Sequence, residues 1–291
     1  MPSSINQKID EITRDSGGST LTRDARSSAL RAFFSTLKNE LNVQVKEFKH
    51  LKQNQVQKYV DHLKGEGKSV RTIQNNLAHV RAGLRHAGRE NFADKILTNQ
   101  SLGASGASRD GTHRAISAYQ VEKARAGLVA SGQPGAAAAL QLQRELGLRM
   151  REAIQSEKSL KSWERSLERC DRVTVTHGTK GGRGRDTGVV DTARALGAVR
   201  NALGVVKSQG GRLIPSESLQ GACRSYQRSL QAQGLTGELA SHSLRCAYAQ
   251  ERFGQHLERM GDRREALAAT SVDLGHGDGR GTYVAQVYLA N

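Results

Sequence analysis

Arg149 (in GLRMREAI), Lys180 (GTKGGRGR), His242 and Arg245 (SHSLR), His276 (LGHG) and Tyr288 (VAQVYLAN) follow one another through the second half of a 291-residue chain. Two arginines, a lysine, two histidines and a phenol suit one task, which is holding a phosphate while a tyrosine attacks it. A guanidinium forks onto two phosphate oxygens and keeps its charge. A phenol is a competent covalent nucleophile, and lysine or histidine moves protons.

Each fragment taken singly has a plainer reading. Arg149 could be a surface arginine, although Gly147 would let the chain turn sharply and put Arg149 at a helix start, where free backbone N–H groups favour an anion. Glu152, one turn on, would orient its guanidinium. Lys180 could belong to a mobile basic turn. GTKGGRGR lacks the GK[ST] ending of a nucleotide-binding loop, so ATP is a poor ligand for it. His242 and Arg245 share a helix face at i, i+3, with Leu244 and Ala247 pointing inward and Ser241 or Ser243 as the cap. His242 and Cys246 stand at i, i+4, but two ligands make no zinc site and neither CxxC nor HExxH accompanies them. A tyrosine near a chain end usually packs. The ordered set carries the argument, not any one motif.

The chain has 44 Lys+Arg against 28 Asp+Glu, a formal net charge of +16. Up to Asp110 there are 18 basic and 11 acidic residues, and after it 26 and 17. Both halves are basic, which fits two lobes gripping one polyanion better than a basic tail on a neutral enzyme. No basic amphipathic helix with bulky apolar residues suggests a membrane surface. Three cysteines make a disulfide framework unexpected. The opening MPSSINQKIDEITRDSGGST has no apolar core for a signal peptide, and no stretch would span a bilayer, so a cytoplasmic, nucleoid-associated location is expected.

The elements that must position these residues are mostly helical. Residues 1–20 read as a flexible arm. Residues 21–100 read as a helical bundle, in which Val56, Tyr59, Val60 and Leu63 form one apolar stripe and Val70, Ile73, Leu77, Val80 and Leu84 another. Ser69 caps the second helix. Residues 101–115 (SLGASGASRDGTHRA) have linker composition. From 116 onward Ser117 caps a helix, Pro134 starts another, and RVTVT with GTKGGRGRDTG and the following VV forms a hairpin with a glycine-rich tip. Helices resume with breaks at Gly234, Gly254, Gly261 and Gly275. The fold class is mainly α with a small β-hairpin.

GLRMREA, a glycine-flanked lysine on a hairpin, HSLR, LGH and QVY, in that order, resemble the catalytic domain of the tyrosine recombinase (phage integrase) family, with mobile-element integrases the nearest likeness. The basic helical half resembles that family's N-terminal core-binding domain. The resemblance implies a site-specific recombinase that needs neither metal nor other cofactor. Arg149 and Arg245 would clamp the scissile phosphate and Lys180 would protonate the leaving 5′ oxygen. His242 and His276 would assist proton transfer and phosphate binding, and Tyr288 would attack. Tyr283 remains a rival nucleophile. Double-stranded DNA at attachment sites is the implied partner, with four protomers acting at paired sites and accessory DNA-bending proteins. Lys68, Arg71, Arg81, Arg85, Arg183 and Arg185 are the further expected DNA contacts. Two other readings remain. A type IB topoisomerase-like enzyme would relax supercoils as one protomer, and a non-catalytic DNA-binding protein would keep only the fold.

Overall fold

The structure is a computed structural model and describes residues 4–107 and 113–289. The chain divides into two compact units, residues 1–108 and 109–291.

The first unit is helical. Its elements are α1 (Ser4–Asp15), α2 (Thr20–Asn39), α3 (Gln53–Gly65) and α4 (Val70–His86), followed by a π-helical turn at Phe92–Ile96. The stretch expected as a loose arm is α1, because Ile9 and Ile12 repeat at i, i+3 and are fully buried. Both stripes read from the sequence face one core, where Phe33 packs edge-on against Phe34 and Tyr59. Val70 is the exception, at 37% exposed. The Ser69 hydroxyl accepts from the Thr72 N–H at 3.2 Å and caps α4.

The expected linker is largely absorbed by its neighbours. Leu102 and Ala104 are buried in the first unit, and Gln74 donates to the Ala104 carbonyl at 2.8 Å. On the far side the Arg114 N–H donates to the Glu238 carbonyl. The centre of that stretch, 108–112, lies outside the described residues.

The second unit contains α5 (Ala118–Ala130), α6 (Pro134–Leu146), α7 (Met150–Ile154), α8 (Leu160–Leu167), β1 (Arg172–Val175), β2 (Arg185–Gly188), α9 (Thr192–Ser208), α10 (Leu219–Ala232), α11 (His242–Met260), α12 (Arg263–Asp273) and α13 (Gly281–Tyr288). Ser117 caps α5 and Pro134 opens α6. Buried alanines, Ala136–Ala139 on α6 and Ala195, Ala198 and Ala202 on α9, let these two helices pack closely. Gly234, Gly261 and Gly275 follow helix ends, whereas Gly254 lies inside α11.

β1 and β2 pair antiparallel, Arg172 opposite Gly188 and Val175 opposite Arg185. The return strand is therefore RDTG, and VV follows it. On the β1 side, Trp163 of α8 donates from Nε1 to the Thr174 carbonyl at 2.7 Å, and Ser166 donates to the Arg172 carbonyl. At the tip, Gly178 has a left-handed φ of 73°, and a Cβ there would come within 2.4 Å of the Arg151 carbonyl oxygen. Only glycine brings the hairpin this close to α7.

Candidate active site

Gly147 ends α6 in the left-handed conformation, φ 58°, and a Cβ there would lie 2.3 Å from the Tyr248 ring. The reversal places Arg149 at the start of α7. Its backbone N–H donates to Glu152 Oε2 at 2.7 Å and its Nη1 to Glu152 Oε1 at 2.9 Å. Arg245, one turn into α11, is fully buried. It donates from Nη1 to the Gly147 carbonyl, from Nη2 to the Leu274 carbonyl, and from Nε to the Tyr288 hydroxyl at 3.3 Å. Arg149 Nη2 also reaches the Leu274 carbonyl, at 3.4 Å. One carbonyl at the end of α12 thus receives both guanidinium groups.

The Tyr288 hydroxyl lies 3.0 Å from His276 Nε2. Arginine can only donate, so Arg245 occupies the phenol oxygen as an acceptor and leaves the phenol proton for His276. When the phenol donates in that bond, His276 carries its proton on Nδ1 and keeps Nε2 open. The His242 ring stands 5.4 Å from the Tyr288 ring, centroid to centroid. Neither serine caps α11 as expected. Ser241 makes no capping bond, and Ser243 donates to the Leu239 carbonyl.

Both histidines are held neutral. Burial, then Arg245, His113 and Arg149, lowers His242 to about 4. Burial, then Arg245, Arg149, Arg185 and His242, lowers His276 to about 3. A neutral His276 keeps a lone pair for the phenol proton. A phosphate on the arginines would cancel part of the repulsion that makes this imidazole a weak base.

Glu152 and Asp273 behave oppositely. Burial opposes their ionisation, yet hydrogen bonds and cations outweigh it and hold both carboxyls at about 2. For Glu152 the main partner is Arg185, bonded through Nη1 at 2.6 Å and Nη2 at 2.8 Å. For Asp273 the partners are His256, Arg252 and the Gly188 N–H.

These shifts set a pH dependence. An unfolded histidine binds its proton near about 6.5, well above the folded His242 and His276. Between those values the unfolded chain holds more protons, so stability falls with falling pH. The stabilising effect of Glu152 and Asp273 is present above their unfolded values near about 4 and is lost as pH falls towards 2. The melting temperature of the DNA-free protein is expected to decline continuously from about pH 6.5 downward. Calorimetry showing a flat melting temperature down to pH 4 would contradict the neutral histidines.

The structure therefore gathers Arg149, His242, Arg245, His276 and Tyr288. Lys180 stands apart in a 3₁₀ turn at the hairpin tip, exposed and, among the described residues, without a side-chain hydrogen bond or ion pair. Tyr283 is nearer to Tyr288 than ideal helical geometry predicts. Five residues on a helix separate side chains by roughly 140°, yet the Tyr283 and Tyr288 rings are 6.3 Å apart and both face His276. The difference lies in the hydroxyls, since only that of Tyr288 is bonded to Arg245 and His276.

Two expected DNA contacts are engaged inside the protein. The Arg185 side chain is 7% exposed, clamped on Glu152, and braces the site from within. Arg81 donates to the Leu97 carbonyl and Asn99 Oδ1. Arg85 pairs with Asp94 and Lys68 with Glu66, both at the surface. Arg71 and Arg183 are exposed.

Sequence reading missed His113, whose ring lies 5.1 Å from that of His242. It also missed Asp273, 2% exposed, which precedes LGH at a position where an apolar residue would be unremarkable. A carboxylate there, with Arg252 and His256 at i, i+4 on α11, was the available signal.

Residues 103–251 match the family model described as Integrase, and residues 2–93 match that described as Phage integrase, N-terminal. The fold is similar to that of a lambda integrase tetramer bound to a Holliday junction, at 17% identity and a TM-score of 0.58, covering 95% of this chain and 74% of that one. It is also similar to the Tn1549 transposon integrase in complex with transposon right end DNA, at 14% identity and a TM-score of 0.57, covering 97% and 93%. No curated protein matches in sequence. The class is the two-unit integrase fold, an N-terminal SAM-like domain followed by an integrase domain. The chain belongs to the phage integrase family, a family of tyrosine recombinases. Among the described residues no helix is long and apolar enough to cross a membrane.

Proposed function

We propose that the protein is a site-specific DNA recombinase that cuts and rejoins duplex DNA through a 3′-phosphotyrosyl intermediate on Tyr288, integrating or excising a mobile element. The observation that carries this reading is the phenol oxygen held between Arg245 Nε and His276 Nε2.

A DNA phosphate is clamped by Arg149 and Arg245. Tyr288 Oη attacks phosphorus while its proton passes to His276 Nε2. The P–O5′ bond breaks, and the departing O5′ takes a proton from Lys180. A 5′-hydroxyl from a second strand then attacks the phosphotyrosine, restoring the phosphodiester and the phenol. Bond energy is conserved through the covalent intermediate, so no nucleotide hydrolysis is needed. Negative charge on the five-coordinate phosphorus is met by fixed side-chain cations in a partly dry site. Duplex DNA is the substrate, and four protomers at paired sites perform the exchange. The basic first unit adds non-specific phosphate contacts that weaken with salt.

The test is covalent capture. Protein expressed with its host DNA is denatured, purified with attached fragments, digested, and the protein-linked ends are sequenced. Ends linked through the 3′ phosphate at one or a few sequences are expected, at undiminished yield when EDTA is present, because Arg149, Arg245 and Lys180 supply the positive charge. Links through 5′ phosphates, or adducts lost in chelator and restored by one divalent ion, would reject the mechanism. Adducts scattered without sequence preference would favour a relaxing enzyme.

A further inference from the structure

The buried Asp273 makes more bonds than the end of a helix requires, and they run to both other parts of the site. Its Oδ2 accepts from Arg252 Nε at 2.9 Å, Arg252 Nη2 at 2.8 Å and His256 Nε2 at 2.9 Å, which ties α12 to α11. Its Oδ1 accepts from the Gly188 N–H at 3.1 Å and Arg172 Nη2 at 3.2 Å, the last residue of β2 and the first of β1. Its carbonyl accepts from the Thr187 hydroxyl at 2.7 Å and Arg185 Nε at 3.3 Å. The next carbonyl, that of Leu274, accepts from Arg149 and Arg245, and two residues further on stands His276. Tyr248 closes the ring by donating to the Gly188 carbonyl at 2.5 Å.

One carboxylate therefore bonds the roots of both hairpin strands and lies one residue before the carbonyl that both site arginines share. The hairpin carries Lys180 at its tip. Ordinary packing needs no such arrangement. An apolar residue at 273 facing an apolar one at 252 would fill the same space without the cost of burying charge.

We infer that Asp273 is a positioning residue that sets the Lys180 hairpin in register with the phosphate clamp, through Gly188 and Arg172 on one side and Arg252 and His256 on the other. This rests on the proposed role of Lys180 as the proton donor to O5′. Asp273 touches neither the phosphate nor the phenol and acts through the strands it holds. Lys180, exposed and without a side-chain bond among the described residues, takes its position from the hairpin alone, held at its root by Asp273 and nearer the tip by the approach of Gly178 to α7. An error of a fraction of an ångström at that root grows towards the tip, where the donor must meet one oxygen.

The test uses the full chain and two versions of a duplex carrying the cleavage position found by adduct sequencing. One has the ordinary O5′ bridge. The other has a 5′-bridging phosphorothiolate, whose thiolate leaves without a proton donor. Lys180→Ala should fail on the first and cleave the second. Asp273→Asn keeps the shape of the side chain but in either orientation turns an N–H₂ towards donors, Arg252 and His256 on one side or Gly188 and Arg172 on the other. It is expected to cleave ordinary DNA about 10- to 100-fold more slowly, and the phosphorothiolate within about threefold of the parent. A core variant with a similar melting loss, Leu230→Ala, should respond equally to both substrates.

Arg172→Gln provides a second route should Asp273→Asn fail to fold. Arg172 is 43% exposed and gives up only its bonds to Asp273 and the Asp186 carbonyl. A smaller defect of the same selective kind is expected. If Lys180→Ala is rescued by sulfur while the folded Asp273→Asn, or Arg172→Gln in its place, is equally impaired on both substrates, the inference is overturned and the reading of Lys180 stands. If Lys180→Ala is not rescued, Lys180 is not the donor and both fall.

Discussion

Tyr288→Phe is expected to form no covalent DNA adduct on a denaturing gel while binding DNA as the parent does, and Tyr283→Phe is expected to form it. The first change keeps the ring, 3% exposed against Cys246, Tyr248, Ala249, Leu274 and Val284, and removes one oxygen. Helical rotation alone cannot separate the two candidates, since both rings stand beside His276. The hydroxyl bonds can. Tyr288 has a donor on its oxygen and an acceptor for its proton, the two partners a phenol needs to become a nucleophile. An adduct on Tyr288→Phe that is lost on Tyr283→Phe would move the nucleophile to the start of α13.

Arg149→Ala and Arg245→Ala are each expected to lower cleavage on the order of 100-fold or more, because each removes a fixed charge from the transition state. They should differ in stability. The Arg149 side chain is 25% exposed and lies at the rim, so its loss should leave the melting temperature close to that of the parent. Arg245 is buried, satisfies the Gly147 carbonyl and shares the Leu274 carbonyl with Arg149. A buried acceptor left bare costs about 1–3 kcal/mol, and the Gly147 carbonyl would be one, so Arg245→Ala should melt well below Arg149→Ala. Arg245→Lys keeps the charge but lacks the fork that spans two carbonyls and the phenol. It should recover little of either property. Equal melting curves for the two alanine variants would mean that the buried arginine does not hold the turns around it.

The ordered set Arg149, His242, Arg245, His276 and Tyr288 was legible because each residue sits in a local pattern: a glycine reversal, an i, i+3 pair, a histidine between glycines, a phenol on a short helix. The core stripes of α3 and α4 were legible for the same reason. What connects these pieces was not. Arg185 looks like its neighbours at a basic glycine-rich tip, and its partners Glu152 and Asp273 lie 33 and 88 residues away. No local pattern distinguishes an arginine that meets DNA from one that holds a carboxylate inside the protein. The first helix was hidden similarly. Ile9 and Ile12 lie among polar residues, and only the core they enter shows their value. The return strand RDTG carries too few β-formers to announce itself and exists because its bonds to β1 and Asp273 hold it.

Trp163, bonded to the Thr174 carbonyl on β1 of the hairpin, is the chain's one tryptophan. It is 2% exposed, so the protein carries a single indole where α8 meets β1, excitable to the red of its six tyrosines. Emission from a dry indole lies to the blue of emission from a wet one. A change in the seating of β1 on α8 when DNA arrives would therefore appear as a colour shift in the unlabelled protein, resolvable in time by rapid mixing. The proposed tyrosine chemistry at α13 and the seating of the hairpin could then be followed in one sample, one by adduct and the other by light.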